Sequence, residues 1–425
     1  MTMLRFYIKG LFRDRSRSLV PVIIVAIGVT LTVLLKCWVT GIFGDMIDFN
    51  AKFFTGHVKV MSQAYFDNVS QTPNDLAMIG TAALLDSLTS DYPGMEWVER
   101  IQFGGLVDAP DENGETRAQG PGGGMAVDLL SENSREIERL NLESAIIRGR
   151  VPRSPDEIIL SEDFASKLEV NVGDEVTLIS STMYGAMSIT NFTVSGTIKF
   201  GTAMLDRGGM IVDISGIRQA LDMQDATGEI LGYLSSGEYD QDQASAISAQ
   251  FNKKYNDPSD EFSPVMVTLR DQNNMSGFLD LINYFGGIIV GVFVVAMSIV
   301  LWNSGLLGGL RRYGEMGLRI AIGERKGHIY RSLITESVFI GVIGSVVGTG
   351  FGLLFAQLLT RGIDFSAMMQ NSTMMIQSVL KAKITTDAYY IGFLPGLIAT
   401  VVGTALAGIG IYKRKTAQLF KELQA

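Results

Sequence analysis

The sequence predicts an α-helical membrane protein with four transmembrane helices, one followed by three, and a large α+β extracytoplasmic domain inserted between helices 1 and 2. Three observations carry that expectation. Four long stretches are apolar and free of charged residues, the charge of the chain is divided unevenly between the segments that separate them, and the segment 43–276 is too long to be a plain loop. Bulk composition agrees. Of 425 residues 47% are hydrophobic and only 19% charged, and mean hydropathy is +0.24. Such a chain is too apolar for disorder. Its net charge of -9 argues against a nucleic-acid binder, and its single Cys37 against a disulfide scaffold.

The first stretch, Ser18–Leu35, continues past Lys36 to Ile42. Its apolar core is longer than a signal peptide's and no small-x-small cleavage site follows, so it reads as a retained helix. The others are Leu281–Leu310, Ser337–Thr360 and Ala388–Tyr412. About 20 residues at 1.5 Å each cross a bilayer core, and all four suffice. Residues 1–17, 311–331 and 413–425 together carry 15 basic and 4 acidic residues, whereas 43–276 carries 16 basic and 36 acidic. The excess of Lys and Arg places the first three segments and both termini in the cytoplasm, and the insert outside.

The expected divisions follow: a cytoplasmic amphipathic helix 1–17, spans 18–42, 277–310, 332–360 and 388–412, the external domain 43–276, a cytoplasmic connector 311–331, an external loop 361–387 and a cytoplasmic tail 413–425. In the amphipathic segment Leu4, Tyr7, Ile8, Leu11 and Phe12 share one face. Lys36 can snorkel to the interface, and Cys37 reads as a packing residue. Gly341, Gly344, Gly348 and Gly352 in span three, and Gly392, Gly396, Gly403 and Gly410 in span four, suit close helix packing in lipid. Glu336 is a functional candidate as an intramembrane acid, or a structural carboxylate placed near a helix start. Met368, Met369, Met374 and Met375 make a soft, apolar external segment.

Within the insert, His57–Met61, Val98–Val107, Ile158–Leu160, Val176–Ile179, Phe192–Ile198 and Met210–Val212 read as strands. Thr81–Thr89, Asn133–Leu140, Glu162–Leu168 and Gln241–Tyr255 read as helices, with Ser161 as an N-cap. No catalytic constellation emerges. His57 and His328 fall on opposite sides of the membrane, so no metal box forms, and the acidic pairs read as turns and helix starts. A phosphate loop is absent as well, so any nucleotide chemistry belongs to another chain.

The connector reads Arg311-Arg312-Tyr313-Gly314-Glu315-Met316-Gly317-Leu318-Arg319-Ile320-Ala321-Ile322-Gly323, leading to Glu336, Gly341, Gly344 and Gly348. This closely resembles the signature of the FtsX-like (MacB/LolC/LolE) ABC-transporter permeases. The stretch from Gly149 to Leu178 looks like the core of that family's periplasmic domain, and Thr55-Gly56-His57 resembles the start of the domain in lipoprotein-releasing (Lol-type) members.

The resemblance implies an inner-membrane permease of the type VII mechanotransmission class that is not itself an enzyme. Two such chains, identical or different, would pair with two ABC ATPase subunits. ATP and Mg would be bound there, with no cofactor in this chain. Arg312, Glu315, Met316, Gly317, Arg319, Ile322 and Gly323 would form the ATPase-coupling segment. Ile23, Ile27, Leu31, Leu34 and Leu35, with Phe285, Ile289, Phe293 and Val294, would line a lateral path for acyl chains, or simply face lipid or the bundle. Extraction of lipoproteins and hand-over to a periplasmic carrier is one implied function. Export of peptides or drugs with an adaptor is a second. Activation of cell-wall hydrolases without transport is a third. Because the chain carries no fused ATPase domain, the ATPase is expected to act in trans.

Overall fold

A computed structural model describes residues 15–111, 113–272, 275–311, 318–364 and 379–413. Four helices, Arg15–Asn50, Met275–Arg311, Lys326–Leu359 and Phe393–Lys413, are long and apolar enough to cross a membrane. The helices differ in extent from the apolar runs of the sequence. The first runs 36 residues, roughly 54 Å at 1.5 Å per residue, so it outlasts a hydrocarbon core of about 30 Å. The third begins at Lys326, inside the expected connector 311–331. The fourth begins at Phe393 after a 3₁₀ turn over Thr386–Tyr389, which leaves Pro395 in the first helical turn, where its missing N–H costs nothing. The expected amphipathic helix 1–17 lies almost wholly outside the described residues, as does the Met-rich external segment.

The chain forms two units. One is helical and gathers the spans, from Asp280 to Ile363 together with the chain up to Gly44 and from Leu380; the other is built mainly from Asp45–Leu279 and is rich in sheet.

In the sheet-rich unit, one ten-stranded sheet runs in the order Pro264–Thr268, Val58–Ser62, Glu229–Leu234, Met95–Pro110, Thr116–Val127, Gly209–Asp213, Glu157–Ser161, Met187–Ile198, Ile146–Gly149. The tenth strand, Glu175–Ser181, pairs with both Met95–Pro110 and Met187–Ile198 and so closes six strands into a ring. A ring has no free edge between its members, and the period of two along each strand gives it an inside and an outside. Ile158 and Leu160 join Phe103, Val176, Phe192, Val194, Met210 and Val212 in one core, to which all six strands contribute. Ile159 and Ile211 point the other way, into a second core with Phe53, Leu140, Leu142 and Phe200. Burial on both faces explains the unbroken Ile-Ile-Leu run.

The rest of the sheet forms a lobe backed by helices Thr81–Asp91 and Gln241–Tyr255. Val58, Val60, Trp97, Ile230 and Met266 pack on Leu88 and Phe251. Ser161 caps the Glu162–Leu168 helix as expected, accepting from the Phe164 amide at 3.1 Å. The Asn133–Leu140 helix is shorter than expected. It covers Glu136–Arg139, and beyond its end Asn141 adopts a left-handed conformation from which a new turn, Leu142–Ala145, starts.

Candidate functional site

The helical unit is organised by its small residues. A Cβ placed on Gly344, Gly348 or Gly352 would lie 2.7, 2.7 and 2.8 Å from the Cβ of Val25, Val29 and Val33 respectively. Both sets of numbers rise by four, so the first and third spans run parallel in a constant register. Thr30 Oγ1 donates to the Gly348 carbonyl at 3.0 Å within that seam. Between the third and fourth spans the register is antiparallel. Gly341 faces Thr400 (Oγ1 2.5 Å from the added Cβ), Gly396 faces Ser345 (Cβ 3.3 Å) and Gly392 faces Thr349 (Oγ1 2.9 Å). A one-way order of spans requires this alternation of directions. Side chains this small allow backbones to approach closely where lipid offers no hydrophobic drive.

Val25, Val29, Val33 and Cys37 form the buried face of the first span. The proposed lining residues lie off that face. Ile23, Ile27 and Leu31 are 46%, 57% and 46% exposed, Phe285 is also exposed, and Leu34, Leu35, Ile289, Phe293 and Val294 are half-buried. Leu34 packs against the buried core of the bundle, whereas the exposed Ile23, Ile27, Leu31 and Phe285 are left for lipid or a second chain to meet.

Of the expected coupling residues, Arg312, Glu315, Met316 and Gly317 lie outside the described residues. Arg319, Ile322 and Gly323 lie within them. Residues 318–321 are helical, and Gly323, at φ +100°, ends that turn: the Glu324 amide donates to Arg319 O and the Gly323 amide to Ile320 O, both at 3.0 Å. Only a residue free of a Cβ adopts that conformation without strain. Arg319 Nε lies 3.3 Å from Glu324 Oε2, and His328 Nδ1 lies 2.7 Å from Glu324 Oε1. Leu318 and Ile322 stand exposed beside these charges, Ile322 by 79%. Glu336 is half-buried and ten residues past Lys326, so the helix start at Lys326 removes the expected dipole argument, whose reach is one turn.

The sheet-rich unit holds a constellation that sequence reading missed. The chain after Asn50 makes a π-helical turn, Ala51–Thr55, stopped by Gly56 at φ +61°, where an added Cβ would lie 2.6 Å from Val58 O. Its carbonyls are taken by side chains from distant segments. Tyr233 Oη donates to Ala51 O (3.1 Å) and Lys52 O (3.3 Å), Arg100 Nη1 to Phe53 O (3.0 Å) and Gln272 Nε2 to Thr55 O (3.4 Å). Arg100 is fully buried and forks onto Glu136 Oε2 at 2.7 and 3.0 Å. Glu136 also pairs with Arg139, which reaches Glu96 at 2.6 Å and lies 4.1 Å over the Tyr233 ring. Beside them Lys59 and Glu229 form a buried pair at 2.8 Å.

Strand register explains the gathering. Glu229 faces Arg100, Tyr233 faces Glu96 and Leu231 faces both Val98 and Lys59, so these charges share one side of the sheet. His57 sits next to them, its Nδ1 accepting from the Leu234 amide at 3.0 Å, its ring edge-on to Tyr233 and Tyr239. Burial, with Arg139 and Lys52 nearby, lowers its pKa from 6.5 to about 4, so the imidazole is neutral. Burial raises the Tyr233 phenol, which keeps its donor proton.

Two family models match the sequence: MacB-like periplasmic core domain over residues 18–254 and FtsX-like permease C-terminal over residues 287–416. The lipoprotein-releasing system transmembrane protein LolC of Xylella fastidiosa (strain Temecula1) is 24% identical over 243 residues, 56% of this chain and 54% of that protein. The macrolide export ATP-binding/permease protein MacB 1/2 of Paracoccus denitrificans is 31% identical over 115 residues, 26% of this chain and 16% of that protein. Among solved structures, the periplasmic region of MacB from Actinobacillus actinomycetemcomitans is 9% identical, with a TM-score of 0.32 over 55% of this chain and 98% of that one. The chain thus spans about half the length of the LolC protein it matches, and a smaller share of MacB 1/2.

Proposed function

This chain belongs to the FtsX-like (MacB/LolC/LolE) permeases of ABC transporters, and on that premise we propose that it is the membrane subunit of a lipoprotein-releasing transporter. It couples ATP hydrolysis by separate ATPase subunits to extraction of acylated proteins from the inner membrane and their transfer to a periplasmic carrier. The observation that carries the reading is the likeness to LolC, which extends over 56% of the chain. The exposed row Ile23, Ile27 and Leu31 supports it, since acyl chains need an apolar face that the bundle does not fill.

Two chains pair, each presenting its connector to an ATPase, with both termini cytoplasmic and the large domain periplasmic. Arg312, Glu315, Met316 and Arg319 meet the ATPase with Ile322, and Gly317 and Gly323 permit close approach and the turn. ATP-driven closure of the ATPases moves these segments, then the first two spans, then the external domains. A mechanism of this kind needs two states that the ATPase distinguishes. The shorter likeness to MacB 1/2 favours a second reading, export of a peptide or drug-like molecule with an adaptor.

Photocrosslinking from Ile27 and Leu31 in cells, followed by mass spectrometry of the captured species, tests the substrate. Acylated protein supports the first reading, and capture of only lipid and adaptor overturns it. The coupling role has its own test. Glu315→Lys combined with Met316→Asp is expected to abolish ATP-dependent transport while the protein remains folded in the membrane. Unchanged ATPase association and transport would sink that assignment.

A further inference from the structure

We propose that Arg100 and Tyr233 are positioning residues of the permease: they clamp the carbonyl end of the first long helix to the external sheet, so that movement of the helix is delivered to the domain. The inference rests on the permease reading above.

A helix end leaves backbone carbonyls without partners, and water ordinarily satisfies them. Here the carbonyls of Lys52, Phe53 and Thr55 are bonded instead by Tyr233, Arg100 and Gln272, side chains from three other parts of the sequence, and Ala51 O, which already accepts the Gly56 amide at 2.8 Å, takes Tyr233 as a second donor. Arg100 also places a cation at the negative end of the helix. The supporting charges are balanced, with Lys59, Arg100 and Arg139 against Glu96, Glu136 and Glu229. Cohesion alone does not call for such an arrangement, because apolar side chains of similar size often hold a core as well as a buried ion network does. What apolar packing lacks is direction: a greasy contact can slide, whereas an Arg fork and a phenol bonded to named carbonyls fix the helix end in rotation and in depth.

A second, separate observation points the same way. The segment that leaves the domain is tied to the same place as the one that arrives. The Leu269 amide donates to His57 O at 3.2 Å, Gln272 bridges Thr55 O and Thr268 O, and Leu269 and Met275 pack on Ala51 with Ile47 and Phe278 alongside. A pull on either helix therefore reaches one joint. The π-helical turn fits this role, since such turns mark functional positions within helices.

Tyr233→Phe in the full chain, reconstituted with its ATPase in proteoliposomes, tests the clamp. The change keeps the ring beneath Arg139 and removes only the bonds to Ala51 O and Lys52 O. Hydrogen exchange at the Gly56 and His57 amides is expected to quicken at least fivefold, with the Gly209–Asp213 strand unchanged. ATP hydrolysis should stay within twofold, while ATP-dependent release of a fluorescent triacylated lipopeptide falls at least fivefold.

Arg100→Lys keeps a cation opposite Glu136 but cannot form the same fork. It should show the same split between hydrolysis and release, and it decides the matter if Tyr233→Phe does not fold. Unchanged exchange and an unchanged ratio of release to hydrolysis would overturn the proposal. So would a parallel loss of hydrolysis, release and thermal stability, which marks a merely structural role. If the unaltered protein shows no ATP-dependent release, the lipoprotein reading fails instead, and the exchange rates alone judge the clamp.

Discussion

The two units of this chain solve the same packing problem with opposite materials. Among the described residues, every buried charged side chain belongs to the sheet-rich unit: Lys59, Arg100, Glu136, Asp206, Asp213 and Glu229. The buried face of the helical unit is mostly valines, glycines, alanines and hydroxyl side chains such as Ser345, Thr349 and Thr400, with Cys37, Met297, Leu301 and Ile329. The solvent explains the contrast. In lipid an isoleucine gains nothing by turning inward, so Ile23 and Ile27 remain outside and cohesion comes from backbones drawn together at glycine. In water the apolar cores supply cohesion by themselves, which frees a few buried charges to fix geometry. Each unit should therefore fail to a different kind of substitution.

The largest effect is expected from Arg100→Met. It leaves Glu136 with one cation in place of two and removes the donor to Phe53 O. Breaking one side of a buried ion pair costs about 3–5 kcal/mol. Trp97 is the one tryptophan in the external segment, so denaturant unfolding followed by its fluorescence, with Trp38 and Trp302 changed to Phe, reads the loss. A change under about 1 kcal/mol would show that the network is solvated and break the contrast between the units.

Acid provides the next test. His57 has its folded pKa lowered to about 4 from 6.5, so the unfolded chain takes up the proton first. Stability from this group is therefore complete above pH 6.5, falls as the pH drops from 6.5 to 4 and levels off below. The expected loss is about 3 kcal/mol at about 1.4 per unit of pKa. His57→Gln should flatten that part of the stability-versus-pH curve of the external unit and leave the bundle's curve unchanged.

Sequence reading succeeded where one physical rule acts alone. Long uncharged runs gave the spans, and the Ser161 cap gave the Glu162–Leu168 helix to the residue. It missed the Thr116–Val127 strand because Gly120, Gly122, Gly123 and Gly124 carry no pattern. Inward-facing glycines make room there for neighbours: a Cβ on Gly122 would lie 3.2 Å from Phe164 Cε1, and one on Gly124 2.7 Å from Met210 Cγ. The first and third helices outlast their apolar runs because a helix need not stop where its apolar run stops. The clamp was illegible for a different reason. No motif in the local sequence marks Arg100, Glu136, Arg139 or Tyr233; the pairing of Glu229–Leu234 with Met95–Pro110 brings Arg100 and Tyr233 to one side of the sheet, and the helix Glu136–Arg139 adds the other two. The half of the connector that carries Glu315 and Met316 stands on resemblance alone.

The smallest expected effect sharpens the comparison from the membrane side. Gly348→Leu inserts a side chain where Val29 leaves no room for even a Cβ, and it separates the first and third spans at the middle of their register. Overpacking of this kind costs about 1–3 kcal/mol. Gly350, two residues on, has nothing within 4 Å of an added Cβ and faces outward, so Gly350→Leu should stay within about 0.5 kcal/mol of the unaltered bundle. Both substitutions add the same apolar side chain to the same helix, so differences in helix propensity or lipid solubility cancel between them. Unfolding in increasing sodium dodecyl sulfate, followed by Trp38 and Trp302 fluorescence with Trp97 changed to Phe, compares the two directly. Equal losses would mean that closeness of approach is not what holds the bundle, and that the hydroxyl bonds, such as Thr30 to Gly348 O, carry it instead. A loss confined to Gly348→Leu, with the external unit's unfolding unmoved, would show that one chain keeps two independent rules of cohesion, each matched to its solvent.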